Sequence, residues 1–298
     1  MTRNTLKPAQ VAQYLGRNSF SRIAGVRMRS KRGTHSIRRM YSWLQRIRSL
    51  RHGVWYGVSE RIRWSRGVFV ETPAIELCTV DLEQAERIAA LRGRYQVQFE
   101  QRMNADTSAR NYEYLDLLDR GWLESKVERP LGGELCDIGC ASFWYAAALH
   151  AFFRPDRMVG VEVEGHRLFR DGYTRIDYAA GYLSQLPNAR FVVADYTTYR
   201  EPADIVTCWF PFLTPTAILA WRLPLSLLAP QLLFARIQHN LRPNGLFFMV
   251  NHGNHEWELS SRCCTAANLQ LAARWTGPGP LSAYRTASPV LSWWRRRR

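Results

Sequence analysis

From Glu134 onward, short apolar runs that suit β-strands alternate with longer amphipathic runs that suit helices. This alternation is typical of a parallel sheet that helices cover on both faces. Seven strands are predicted, at residues 134–138, 158–163, 190–194, 204–209, 246–251, 269–275 and 289–294. The last two are joined through a Gly/Pro-rich connection, residues 277–280, that is too short for a crossover helix, so they should pair antiparallel. The expected fold class is α/β, with a doubly wound, mostly parallel sheet.

The helices are predicted at residues 142–152, 166–184 and 217–240, the last interrupted by its prolines. Two more are expected between residues 79 and 127, where apolar residues recur at steps of three and four. We therefore expect an N-terminal helical region, residues 60–130, that caps a core at residues 131–298. Upstream of it, only residues 36–50 have a pattern that favours a helix.

Charge is distributed unevenly along the chain. Residues 1–59 contain 13 Lys and Arg and no Asp or Glu, and residues 295–298 are four Arg, whereas residues 60–294 carry 24 basic and 25 acidic residues. Attraction to a phosphate backbone must therefore come from the two ends. Three interpretations of residues 1–59 stay open: a solvated or disordered leader, an arm that contacts RNA or the ribosome, and a transit peptide. In each case we expect the core to form without residues 1–59.

The six cysteines show neither CxxC pairs nor a zinc-finger arrangement with histidines, which favours a reduced, cytoplasmic protein. The apolar stretch at residues 213–237 contains Arg222, Pro224 and Pro230, so it is predicted to be buried helix and loop rather than a membrane span. We accordingly expect no membrane partner and no metal. The sequence leaves the oligomeric state open.

Acidic residues stand at the ends of three successive predicted strands. Asp137 is followed by a small-residue turn, Gly139-Cys140-Ala141, that lets backbone approach a ligand closely. Glu162 lies at the tip of the next strand, where a carboxylate can accept both hydroxyls of a ribose. Asp195 ends the third strand, where it can accept from an adenine amine. Asp204, in contrast, begins its strand and is interpreted as structural.

In the order and spacing of these elements, residues 111–295 resemble the class I S-adenosylmethionine-dependent methyltransferases. The resemblance implies a seven-stranded sheet whose last strand is antiparallel, and S-adenosylmethionine as the cofactor. It also implies that Asp137 and the turn from Gly139 through Cys140 to Ala141 line the methionine end of the cofactor. By the same resemblance, Glu162 takes the ribose, and Asp195 with Tyr196 flanks the adenine.

The chain departs from the family's glycine-rich turn at Ala141 and Phe143, where the family usually or often has Gly. This departure keeps a second function open, that of a non-catalytic scaffold with a degenerate methyltransferase fold, whose basic ends contact RNA or another acidic partner. A nicotinamide dehydrogenase is disfavoured, because its Gly-x-Gly-x-x-Gly would fall on Gly139, Ala141 and Trp144 and match only once.

On the substrate side, two groups of residues compete. His252 follows the fifth strand and is a candidate general base for a hydroxyl acceptor, with His255 as a further substrate contact. The aromatic segment after the fourth strand, with Trp209, Phe210 and Phe212, is either a wall for a flat substrate or core packing. The neutral body favours a small-molecule acceptor over nucleic acid or protein, whereas residues 1–59 favour RNA.

Overall fold

The computed structural model describes residues 31–74, 77, 81–277, 281 and 288–296, with side chains from residue 42 onward. The chain divides into two compact units, Met1–Leu44 and Gln45–Arg298. In the first unit the described part is helical and belongs to α1 (Lys31–Ile62). The second unit contains the sheet and the remaining helices.

The second unit is built on a seven-stranded sheet with the order β3-β2-β1-β4-β5-β7-β6. Its strands are β1 (Glu134–Ile138), β2 (Arg157–Glu162), β3 (Ala189–Val193), β4 (Ala203–Trp209), β5 (Leu241–Asn251), β6 (Leu269–Thr276) and β7 (Val290–Arg296). Within the order β3-β2-β1-β4-β5, each strand is parallel to its neighbours. β7 lies between β5 and β6 and is antiparallel to both. The predicted fold class and the predicted antiparallel pairing of the last two strands are confirmed.

Helices cover both faces of this sheet. They are α2 (Leu82–Tyr95), α3 (Ala105–Ser125), α4 (Ala146–Phe153), α5 (Arg175–Leu183), α6 (Pro215–Ala220), α7 (Pro230–Asn240) and α8 (Gly253–Ala266). Successive strand residues point to opposite faces, so Trp293 packs with α2, α3 and α4 while Trp294 packs with α7 and α8. The result is two apolar layers with the sheet between them.

Two helix predictions were too long. The predicted helix at residues 166–184 is α5 alone, because Gly172 has a φ of 86° and Thr174 forms a capping box with Asp177 that sets the start of the helix. The predicted helix at residues 217–240 consists of α6 and α7, separated by a 3-10 turn between Pro224 and Pro230. Likewise α4 begins at Ala146 rather than residue 142, after a left-handed residue at Phe143.

The second compact unit begins at Gln45, within the segment 1–59 that the sequence predicts to be a leader, and the domain boundary after residue 59 stays a prediction. The second half of α1 packs on the sheet unit: the N–H of Leu225 donates to Ser49 Oγ (2.8 Å), and the Tyr56 hydroxyl donates to the Val163 carbonyl (3.3 Å). His52 on the same face is buried. Trp55, on the opposite side, is 68% exposed and does not belong to the core.

After α1 the chain runs extended along α5. The N–H groups of Arg66 and Phe69 donate to the side chain and the carbonyl of Asp177, at 3.1 and 3.0 Å. Asp204 accepts from the N–H of Glu134 (2.8 Å) and pairs with Arg242, which supports its structural interpretation. Across the parts of the chain that the structure describes, no helix combines the length and the apolar character needed to cross a bilayer.

Candidate functional site

Three carboxylates lie at one edge of the sheet. Asp137 is the next-to-last residue of β1 and Glu162 is the last residue of β2, while Asp195 follows β3 two residues past its end. The sheet order reverses beside β1, since β2 lies on one side of it and β4 on the other. Ligands of open α/β sheets bind outside the carboxyl ends of the strands at such a reversal.

The turn after β1 holds an unusual backbone conformation. Gly139, Ala141 and Phe143 have φ values of 68°, 52° and 55°, in the left-handed region. Glycine adopts this region at no steric cost, whereas a side chain costs about 1–2 kcal/mol per residue. Nothing lies within 4 Å of the position that a Cβ would take on Gly139, so this part of the turn borders open space. The glycine-like geometry is thus kept at two positions that lack glycine.

The side chains of this turn point into the protein. Cys140 and Phe143 are fully buried and pack against Gly160 of β2, where an added Cβ would come within 2.8 Å of both. Burial raises the pKa of the Cys140 thiol well above its usual value. Cys140 was predicted to contact the cofactor, and in this arrangement only its backbone can do so.

Asp137 is fully buried, and both of its carboxylate oxygens accept a hydrogen bond. Oδ2 accepts from the Tyr145 hydroxyl (2.6 Å) and Oδ1 from the Thr207 hydroxyl (2.5 Å). Burial raises the pKa of Asp137 to about 7, although the two hydroxyls lower it. The carboxylate thus ties the turn after β1 to β4, and it acts on a ligand through the groups that it positions.

Glu162 is also occupied by the protein's own groups. Its Oε2 accepts from the N–H of Ala141 (2.8 Å), and its Oε1 accepts from the N–H of Glu164 (3.0 Å) and from Arg175 Nη1 (2.8 Å). Arg175 is buried and also pairs with Glu164 at 3.3 Å. The hydrogen bond to Ala141 helps to hold the left-handed turn, and Oε2 retains a second lone pair that can accept a hydroxyl.

Asp195 and Tyr196 differ in exposure. Asp195 is half-buried, and its Oδ1 accepts from the N–H and the hydroxyl of Thr197, both at 2.8 Å. Tyr196 is buried in the apolar layer between the sheet and helices α7 and α8, and the centroid of its ring is 5.7 Å from that of Tyr199. An adenine contact from Tyr196 would therefore have to come from its backbone, whereas Asp195 is within reach of a ligand.

Helix α1 contributes an unforeseen residue to this edge. Burial and the neighbouring carboxylates of Glu60, Asp195 and Glu164 raise the pKa of Tyr56 to about 12. Its hydroxyl therefore stays protonated and donates to the carbonyl of Val163, the residue after Glu162, so its oxygen can still accept from a ligand. The basic composition of residues 1–59 gave no sign of this position, because it is set by tertiary packing.

Helix α3 secures the other side of the turn. The Asn111 side chain donates to the Trp144 carbonyl (2.9 Å) and accepts from the N–H of Ala148 (3.1 Å). Tyr114 stacks on Trp209 at a centroid distance of 4.2 Å. Sequence reasoning missed Asn111, Tyr114 and Tyr145, since polar and aromatic residues on an amphipathic helix look like ordinary packing residues.

The aromatic segment at the end of β4 is buried at Trp209, the last residue of the strand, and half-buried at Phe210 and Phe212. Trp209 is 6% exposed and packs in the core, as one of the two sequence interpretations expected. Phe212 lies beside Trp221, with 5.7 Å between ring centroids. Phe210 has a φ of 56° and stacks on His252, with ring planes 13° apart and centroids 3.9 Å apart. The stacked pair lies at the carboxyl edge of β4 and β5.

His252 and His255 are both exposed at the start of α8. The N–H of His252 donates to Glu256 Oε2 (2.8 Å), so this carboxylate caps the first turn of the helix. Burial raises the pKa of Glu256. Within the part of the chain that the structure describes, no group of three His, Cys, Asp or Glu side chains is arranged to hold a metal ion.

Comparison with known proteins finds similarity in structure but not in sequence. No protein-family model and no curated protein matches the chain. Among solved structures, N-methyltransferase NodS from Bradyrhizobium japonicum WM9, bound to S-adenosyl-L-homocysteine, is 13% identical, with 71% of this chain and 99% of that protein covered and a TM-score of 0.45. A S-adenosylmethionine-dependent methyltransferase from Clostridium acetobutylicum ATCC 824 is 9% identical, with 72% and 99% covered and a TM-score of 0.44.

The [4+2]-cyclase SpnF is a third similar structure, 12% identical, with 78% of this chain and 98% of that protein covered and a TM-score of 0.43. These similarities are distant. The strand order and pairing of this chain are those of a doubly wound, Rossmann-like sheet with an antiparallel β7, the arrangement that the resemblance to class I S-adenosylmethionine-dependent methyltransferases implies.

Proposed function

We propose that this protein binds S-adenosylmethionine at the carboxyl ends of β1, β2 and β3 and transfers its methyl group to an acceptor. The observation that carries the proposal is the turn after β1, which keeps three left-handed residues although two of them are not glycine. Strained backbone of this kind persists where the surroundings over-determine it, and it concentrates at ligand sites.

The residues at this edge fit such a cofactor. The backbone of Gly139 and Ala141 borders the open side of the turn, Glu162 Oε2 can accept one ribose hydroxyl, and Asp195 is accessible to an adenine amine. The Tyr56 hydroxyl, which donates to the carbonyl of Val163 next to Glu162, can accept from a ligand at this edge. Asp137 acts as a positioning residue that fixes Tyr145 and Thr207 beneath the turn.

When bound, S-adenosylmethionine supplies a methyl group that its sulfonium already activates for displacement. The protein's tasks are then to align the acceptor and to exclude water. The stacked pair of Phe210 and His252 offers a flat surface for an acceptor, and His252 can take the proton of a hydroxyl acceptor. We propose a small molecule as the acceptor, with His255 at the entrance, because residues 60–294 have no excess positive charge. A cytoplasmic location remains an expectation from the cysteine spacing.

One observation favours the second function, a non-catalytic scaffold with the same fold. Arg175, Ala141 and Glu164 already engage the Glu162 carboxylate, which is 5% exposed. A ribose that needs both oxygens of Glu162 would have to displace Arg175 from a buried ion pair. Such displacement is costly, because it separates two buried charges and leaves Arg175 with Glu164 alone.

Calorimetric titration of the full-length protein with S-adenosylmethionine and with S-adenosylhomocysteine distinguishes the two functions. We expect binding, and we expect Glu162→Gln to weaken it by about tenfold or more through loss of a charged acceptor. Gln keeps an oxygen for the N–H of Ala141, and Arg175 keeps Glu164, but the amide nitrogen cannot accept from the Glu164 N–H or from Arg175. Circular dichroism must therefore show that the variant folds. The matched control is Glu201→Gln, an exposed acid paired with Arg190.

Binding that Glu201→Gln leaves unchanged and Glu162→Gln weakens supports the cofactor site. Absence of heat and of a thermal shift with both ligands would sink the methyltransferase proposal and favour the scaffold. Equal binding by both variants would show that the cofactor does not contact Glu162.

A further inference from the structure

We propose that the outer face of α1 binds an anionic lipid surface. This face carries five aliphatic residues, here named the α1 stripe, which are Ile47, Leu50, Val54, Val58 and Ile62. Their side chains are between 38% and 72% exposed. The proposal does not depend on methyl transfer, so each can fail without the other.

The second half of α1 has two distinct faces. Ser49, His52 and Tyr56, spaced three and four residues apart, face the sheet unit and make its contacts. The α1 stripe follows the same spacing on the opposite side of the helix. A helix that packs on its own domain with one face needs only a polar outer face, so this second apolar row calls for an occupant.

The charges beside the stripe indicate which occupant. Five arginines lie between residues 46 and 63, all exposed, against one acid in that span, and they are Arg46, Arg48, Arg51, Arg61 and Arg63. Trp55 is 68% exposed on the same helix, and Trp64 is 53% exposed just after it. Aliphatic residues bordered by Arg and Trp are the composition of helices that lie in the membrane interface, where arginine attracts anionic headgroups and tryptophan sits at headgroup depth.

Two other occupants fit less well. Single-stranded RNA would stack its bases on Trp55 and Trp64, which leaves the five aliphatic residues of the α1 stripe without a contact. A second copy of the chain would place the same arginine-rich face opposite itself, and like charges at an interface repel. The acidic residues that could compensate are absent from residues 1–59 of the sequence.

Residues 213–237 are too interrupted to span a bilayer, but spanning is not the only way in which a protein binds a membrane. A helix that lies along the surface needs no such length of apolar sequence, since one face inserts and the other stays with the protein. The extended segment after α1 adds Val68 and Val70, which are 59% and 81% exposed, to the same apolar region of the sequence.

Flotation of the full-length protein with lipid vesicles tests the proposal. We expect it to float with vesicles of phosphatidylcholine and phosphatidylserine, more weakly with phosphatidylcholine alone, and less as salt increases. The double variant Leu50→Ser, Val54→Ser should lower the partition coefficient by about tenfold or more. Leu82→Ser is the matched control, because Leu82 is 77% exposed on α2.

A second pair of variants separates charge from apolar burial. Arg46→Gln with Arg51→Gln should reduce binding to the anionic vesicles, whereas Arg262→Gln on α8 should not. Circular dichroism must show that all variants fold. Equal flotation of the Leu50/Val54 variant and the unaltered protein would overturn the proposal. So would a monomer–dimer equilibrium that depends on the stripe without lipid, or binding that the arginines alone support and RNA displaces.

Discussion

At the scale of single residues, the buried carboxylate of Asp137 has a consequence for stability. An aspartate in the unfolded chain titrates near 3.8, whereas burial raises the pKa of Asp137 in the fold to about 7. Because the folded state holds the proton more tightly, this group contributes most to the free energy of unfolding below about pH 4. Its contribution is lost as the pH rises to 7.

Asp137→Asn removes this dependence, since the amide cannot ionise and the Tyr145 and Thr207 hydroxyls can reorient to it. As the pH rises from about 4 to about 8, the free energy of unfolding of the variant should increase relative to that of the unaltered protein by on the order of 2–4 kcal/mol. Urea unfolding at several pH values measures it. The control is Asp156→Asn on the surface. If both variants showed the pH profile of the unaltered protein, Asp137 would not be the buried acid described above.

The left-handed turn yields a second prediction. Ala141→Gly relieves a φ of 52° and should raise the free energy of unfolding by about 1 kcal/mol, the steric gain less the added chain entropy. Phe143→Ala keeps the left-handed residue and empties the space against Gly160, so it should cost about 3–5 kcal/mol. Chemical denaturation compares the two. A destabilised Ala141→Gly variant would show that the side chain at this position is needed for packing.

At the scale of secondary structure, α1 is part of the fold from Gln45 onward, which changes what truncation should do. Deletion of residues 1–44 should leave the free energy of unfolding unchanged. Deletion of residues 1–59 also removes Ser49, His52 and Tyr56, and should cost about 2–4 kcal/mol for two hydrogen bonds and the buried surface.

The two truncated proteins also test the site. Since the Tyr56 hydroxyl donates to the carbonyl of Val163, next to Glu162, removal of residues 1–59 should weaken S-adenosylhomocysteine binding, whereas removal of residues 1–44 should not. Differential scanning calorimetry with and without the ligand gives both quantities. Equal stability and equal affinity of the two truncated proteins would return the domain boundary to residue 59.

Strands were predictable from the sequence because each is a short apolar run bounded by turn residues, and most predicted bounds agree with the structure to within two residues. The start of β5 was predicted five residues too late. Leu241 already pairs with Ala203, although the turn-forming residues Pro243, Asn244 and Gly245 follow it. Helix α5 was drawn too long, although Thr174 and Asp177 form a capping box that the sequence already contains.

The candidate site was predictable only in part. Asp137, Glu162 and Asp195 could be placed at one sheet edge because parallel strands end together. What occupies their oxygens could not be predicted: Arg175 lies 13 residues after Glu162 in the sequence, within a segment predicted to be helical throughout. Contacts of this kind depend on how a loop returns to the sheet, and local patterns carry no information about that.

At the scale of the whole molecule, the last strand closes the fold. Among the strands that the structure describes, β7 lies between β5 and β6, and β6 pairs with β7 alone. Trp293 of β7 is fully buried against Trp122 of α3 and Phe248 of β5, with ring centroids 5.4 and 5.5 Å apart. The C-terminal strand therefore connects the N-terminal helices to the sheet, and the second unit should unfold as one cooperative body.

Trp293→Ala should consequently destabilise the entire second unit, by about 3–5 kcal/mol, because it opens a cavity where three elements meet. The matched control is Trp55→Ala, an exposed tryptophan whose loss should change stability by no more than about 0.5 kcal/mol. Urea unfolding followed by both far-ultraviolet circular dichroism and tryptophan fluorescence is the measurement, and the two signals should shift together for Trp293→Ala. A chain that stops after Thr276 lacks β7 altogether and should not give a cooperative transition. If that shortened chain unfolded cooperatively at the original urea concentration, β7 would be an addition to a sheet that is stable without it.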